Sequence, residues 1–174
     1  MAGRGHFSWI ETALGAGLVN VVVNAPIGWA IVPGTGLLLW GVPSISSDLV
    51  ATAGGIAFGT VLLVTPQIRG RRRQGKLASP VIGDRLRASL LGWPRSTVRR
   101  AVALGLLSVV AFVPLPLLAL SLSGMGSVDP LPMAIVKGSF AFVTSALITP
   151  LIVLGAMLDE RPPPGGAMSW SDRQ

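Results

Sequence analysis

Proton transfer, nucleophilic attack and metal binding fall mostly to histidine, cysteine and paired carboxylates, and this sequence nearly lacks them. His6 is the single histidine, and cysteine is absent. No histidine metal site, serine triad, thiolate site or disulfide can therefore be assembled. Ser44, Ser46, Ser47 and Asp48 cluster in sequence. With no histidine in reach they offer the start of a helix, not a nucleophile. Gly34-Thr35-Gly36 lacks both the lysine and the strand-to-helix context of a phosphate loop. An enzyme is not expected, and neither is a cofactor or a bound metal.

The remaining chemistry is neutral. Asn20 and Asn24 stand four residues apart inside an apolar run, hence on one face of a helix. An amide facing lipid would lose its water hydrogen bonds without replacement, so both should point into the protein or a wet cavity. Two uses are open: interhelical contact, or a polar lining for a small-solute or ion path. Thr60, Thr65, Thr144, Ser145 and Thr149 add hydroxyls in two other runs, where such groups commonly bond the carbonyl four residues back. Pro66 and Pro150 each follow a threonine and remove one helical hydrogen bond, so kinks are expected there and at Pro26, Pro114 and Pro116. Ala51, Gly55 and Gly59, like Ala13 and Gly17, repeat every four residues and permit close helix contact.

These groups sit in four long apolar stretches, roughly 8–32, 49–68, 98–122 and 133–158. The chain of 174 residues is 51% hydrophobic and only 12% charged, with a mean hydropathy of +0.67. A soluble domain carries about 25% charged residues, so half the usual solvating surface is missing. Each stretch reaches or approaches the ~20 residues that cross a ~30 Å hydrocarbon core as a helix. The runs are continuously apolar rather than alternating, which excludes a membrane barrel. The first run is too long for a signal peptide and has Glu11 at its entrance. The hydrocarbon interior is expected to hold no ionisable residue, with Lys137 at the mouth of the fourth span. That argues against a pump coupled through a carboxylate.

The stretches repeat. Residues 54–68 read GGIAFGTVLLVTPQI and residues 138–152 read GSFAFVTSALITPLI, with Gly, Ala, Phe, Thr, Leu, Thr, Pro and Ile shared in register. The preceding runs also align, pairing Ala13 with Ala101, Gly17 with Gly105, Val21 with Val109 and Pro26 with Pro114. Asn20 and Asn24 then correspond to Ser108 and Phe112, so any polar lining is lopsided. The expected fold is an all-α membrane protein of four transmembrane helices, arranged as two tandem, parallel helical hairpins.

Ten of the fourteen basic residues lie between Arg69 and Arg100. Basic residues of short loops stay on the cytoplasmic side, which puts this connection and both termini inside. Arg69, Arg71, Arg72, Arg73 and Lys76 are expected to contact anionic lipid or a protein partner rather than nucleic acid, despite the net charge of +7. Trp9 and Trp93 would mark the inner membrane interface, and Trp29 and Trp40 the outer one. Ile82, Leu86, Leu90 and Trp93 recur along one helical face, so a short amphipathic helix over 80–92 is expected to lie in the inner leaflet. The expected organisation is a first hairpin over 1–73, a basic connection over 74–97, a second hairpin over 98–160 and a disordered tail over 161–174.

Asn24, the small-apolar stretch Ile56-Ala57-Phe58, and Thr65-Pro66-Gln67-Ile68-Arg69 together resemble a family of small bacterial two-helix membrane proteins of unknown function. The resemblance covers mainly residues 10–73. The second half keeps Phe142, Thr149 and Pro150 but departs at Phe112 and Leu151. It implies the hairpin unit. The functional expectation is an oligomeric bacterial inner-membrane protein that forms a path for a small solute or ion. The alternative is a non-catalytic membrane subunit or scaffold.

Overall fold

The structure, a computed structural model, describes residues 8–32, 36–74, 77, 82–94, 96–124 and 126–159. Four helices long and apolar enough to cross a membrane run over Trp9–Ala30, Ile45–Arg73, Thr97–Leu122 and Pro130–Leu158. We number them α1 (Trp9–Ala30), α2 (Ile45–Arg73), α3 for the short connecting helix Asp84–Leu91, α4 (Thr97–Phe112), α5 (Pro114–Leu122) and α6 (Pro130–Leu158). The all-α class follows.

Local chemistry accounts for the helix ends. Ser8 caps α1, its hydroxyl accepting from the Glu11 amide. The serine cluster starts α2 as expected. Ser44 and Ser47 exchange side-chain-to-backbone bonds in a capping box, which satisfies two amides that have no carbonyl partner in the first turn. Pro130 occupies the first position of α6, where its missing N–H costs nothing. Pro26, Pro66 and Pro150 lie inside continuous helices. Only Pro114 divides a span, separating α4 from α5 at Val113.

The helices pack in the order α1, α6, α2, α4, so α6 is flanked by α1 and α2 while α1 and α2 scarcely meet. Each first helix therefore lies against the second helix of the other half. Glycines permit these approaches. A Cβ on Gly17 would fall 2.6 Å from the Phe142 ring, and Gly138 faces Val21 and Ala25. On the other side Gly105 lies against Phe58, and Gly54 against Val109. These are the positions that the two halves share in register. Gly55 and Gly59, by contrast, would meet no atom within 4 Å among the described residues, and Ala51 on the same stripe is exposed.

Three apolar clusters stack along the bundle. Ile45, Leu49, Met133 and Phe140 close the end near Asp48. Ala57, Val61, Leu104 and Ile152 fill the middle. Leu90, Val153, Leu154 and Met157 close the basic end. The Asp48 end also carries two two-residue strands, β1 (Leu37–Leu38) and β2 (Ser127–Val128), paired antiparallel with Leu37 opposite Val128. This ladder adds to the expected helices.

The apolar face of the connecting helix is not left open, as a helix lying in the inner leaflet would leave it. Ile82, Leu86, Leu90 and Trp93 do form one face, but all four pack into the cluster of Val153, Leu154 and Met157 on α6. The end of α6 is apolar and needs cover, so the stripe is consumed by protein rather than presented to lipid. Arg85 and Arg87 on the other face are exposed.

Candidate functional site

Lys137 is the residue whose position departs most from expectation. It lies in the second turn of α6, because the helix begins at Pro130, and it is 3% exposed. Its Nζ donates to Oδ1 of Asp48 in the first turn of α2. Gly28 of α1 covers it, a Cβ there standing 3.0 Å from the Lys137 Cβ. A larger residue at 28 would collide with the lysine stem. Asp48 Oδ2 is buried and without a partner.

A second ionic group closes the opposite end. Arg100, in the first turn of α4, is fully buried. Its Nη1 and Nη2 donate to the two oxygens of Asp159, each at 2.6 Å, a bidentate pair that suits a guanidinium with little solvent. Its Nε donates to the Pro94 carbonyl at 3.1 Å, and its Cζ lies 5.9 Å from the Trp93 ring centre. Arg69 adds a bond from Nη2 to Asp159 Oδ2 at 2.7 Å and another from Nη1 to the Thr97 hydroxyl at 3.0 Å. Gly155 lets the Trp93 ring approach α6.

The two clamps tie α6 to α2 at both ends, the second through α4 as well. From Asp48 to Arg69, and from Lys137 to Asp159, a helix rises roughly 32 Å, close to the thickness of a hydrocarbon core. Between them, α2 and α6 carry no charged residue.

Asn20 and Asn24 spend their donors on their own helix. The Asn20 amide donates to the Ala16 carbonyl at 3.0 Å, and Asn24 to the Asn20 carbonyl at 3.0 Å. Asn24 is buried, Asn20 half-buried. Ser108, the counterpart of Asn20, does bridge helices, donating to Ala53 of α2 at 2.9 Å. Ser145 likewise reaches Ala16 of α1 at 3.2 Å. Thr65, Thr144 and Thr149 are buried, and none of their hydroxyls has a partner. Thr60 is half-buried.

Three cavities among the described residues are lined mainly by apolar side chains. One of about 220 Å³ lies between α4 and α6, lined by Trp93, Leu104, Phe112, Ile148 and Ile152 together with Ser108. Two open grooves share corresponding positions of the two halves. One, of about 440 Å³, is lined by Val21, Gly138 and Phe142, and the other, of about 400 Å³, by Val109, Gly54 and Phe58. Neither asparagine lines any of the three.

Among the arginines expected to meet lipid or a partner, Arg69 is turned toward Asp159. Arg71 and Arg73 are exposed and Arg72 is half-buried. Lys76 and the tail over 161–174 lie outside the described residues. Trp93 is half-buried beside Arg100, whereas Trp9, Trp29 and Trp40 are exposed.

Sequence reasoning missed Lys137, Arg100 and Asp159 as partners. For Lys137 a signal existed: Pro130-Leu131-Pro132 marks a helix start three residues earlier than the hydropathy does, which carries the lysine two turns inward. The chain matches no protein-family model, no curated protein and no solved structure.

Proposed function

We propose that this chain is a multi-pass protein of the bacterial inner membrane, with its basic connection and both termini cytoplasmic, built by tandem duplication of a two-helix hairpin. Three things support the placement: the four apolar helices, the concentration of arginine in one connection, and a charge-free belt of about one bilayer thickness. Duplication is supported by contacts that recur with the repeated residues, Gly17 on Phe142 as Gly105 on Phe58. A parallel repeat about an axis along the membrane normal fits this exchange, as does the resemblance of residues 10–73 to small two-helix bacterial proteins.

Within that frame the geometry best supports a non-catalytic membrane subunit or scaffold. The carrying observation is the pair of ionic clamps, which hold α6 against its neighbours at both ends of the belt. A rigid core of this kind leaves the outer faces for partners. The unopposed Ala51, Gly55 and Gly59 stripe suits a second copy or another membrane helix, and the exposed arginines suit anionic lipid, not nucleic acid.

One observation favours conduction instead. The unpartnered hydroxyls of Thr65, Thr144 and Thr149 and the free Asp48 oxygen would each be satisfied by water inside the bundle. Proteoliposome flux separates the readings. For the scaffold, permeability to glycerol, urea and potassium equals that of protein-free vesicles. Flux above that baseline, lost in an Asn20→Leu/Asn24→Leu or a Thr144→Val variant that still assembles, sinks it in favour of a path.

A further inference from the structure

Helices α4 and α6 scarcely touch, although each packs closely along a different neighbour. The gap between them is the cavity of about 220 Å³. Buried Leu104, Ile148 and Ile152 form its back wall. Half-buried Trp93 and Phe112 stand at its two ends, and exposed Leu107, Ala111 and Leu147 edge its mouth. The hydroxyl in the wall, that of Ser108, already donates to the Ala53 carbonyl at 2.9 Å. Water therefore finds too few polar partners to settle there, and an apolar cavity of even about 150 Å³ stays dry and takes up benzene. Left empty, the walls forfeit dispersion contacts on one side. From Leu104 to Phe112 a helix rises roughly 12 Å, and a helix about 10 Å wide would need several times this volume over that length. The space suits one alkyl chain.

We propose that this cavity is a binding site for a single acyl chain of a membrane lipid, which fills the gap between α4 and α6. The inference rests on the membrane reading above and deepens it: one lipid is a fixed part of the bundle, in addition to those that solvate its outer surface. Position favours lipid over a dissolved apolar solute. The α6 residues of the cavity lie between Lys137 and Asp159, within the charge-free belt. Leu107 and Leu147 at the mouth are 58% and 55% exposed, and neighbouring Leu106, Val110 and Val143 are exposed as well. The opening is thus continuous with the apolar outer surface, where acyl chains are the solvent. Trp93 stands beside Arg100 at the basic end, so a chain of the cytoplasmic leaflet reaches the cavity from there.

The test uses the full chain in detergent, titrated with phosphatidylglycerol and followed by retained lipid in native mass spectrometry. A111F fills the mouth and is expected to lower retention about tenfold, the effect of displacing two methylene groups from an apolar site. V110F adds the same ring to the next residue of α4, outside the cavity, and is expected to leave retention unchanged. Equal retention in A111F and the wild type overturns the site, as does an equal loss in the two variants. A second measurement needs no cavity variant. In mixed vesicles containing acyl-brominated phosphatidylglycerol, the emission that W93F lacks is expected to be quenched to its limit at a low share of brominated lipid. Quenching that rises only in proportion to that share, as for a ring facing bulk lipid, overturns the site. Protein that stays monodisperse with neither detergent nor lipid overturns the membrane reading itself, independently of how the variants rank.

Discussion

A guanidinium with almost no water around it must find its counter-charge inside the protein, and Arg100 finds it in Asp159. Removing one partner of a buried pair leaves the other charged and desolvated, which costs about 3–5 kcal/mol. Asp159→Asn is therefore expected to lower stability by about that much in detergent unfolding, and to do so more than Arg71→Ala. Asp48→Asn strands Lys137 in the same way, and adding Lys137→Met to it should recover most of the loss. Recovery is the informative outcome, since a lysine needed only for packing would make the double variant worse. At this scale the depth of the neutral residues was legible, but neither their bonding partners nor those of the charged residues were. Asparagine and threonine could be placed inside a span from hydropathy alone. That Arg69 and Arg100 are internal rather than lipid-facing depended on where Asp159 folds, 59 residues after Arg100.

Elements were legible wherever a local signal existed. The serine cluster announced the start of α2, the apolar periodicity of Ile82, Leu86, Leu90 and Trp93 announced α3, and each span was long enough to read. What covers an amphipathic face is a different question, because a lipid surface and a protein surface select the same residues. Small residues pose the same ambiguity. Gly17 and Gly55 each sit in a four-residue small repeat, yet one meets Phe142 and the other meets nothing within 4 Å. Gly17→Ala is thus expected to destabilise by about 1–3 kcal/mol through overpacking and to be rescued by Phe142→Leu. Gly55→Ala should leave monomer stability unchanged or slightly higher, because alanine is the better helix former. Thermal unfolding of the two variants side by side decides this.

At the scale of the whole molecule, the exchange of helices between halves makes each half incomplete. The first helix lies on α6 and the second on α4, so neither hairpin buries its own faces. Chains cut between residues 79 and 80 are expected to co-purify in equal amounts when co-expressed, and to be degraded when expressed singly. Two fragments that purify separately and stay helical would mean self-contained hairpins and would remove the exchange. The sequence by itself determined that four helices are long and apolar enough to cross a membrane, and where α2 begins, since hydropathy and helix capping are local properties. Only the tertiary structure decided which helices are neighbours and which arginines are interior. It also decided that Lys137 is paired and that the asparagines serve their own helix. Those outcomes depend on contacts between residues far apart in the chain, and no local pattern encodes where a distant carboxylate or glycine will arrive.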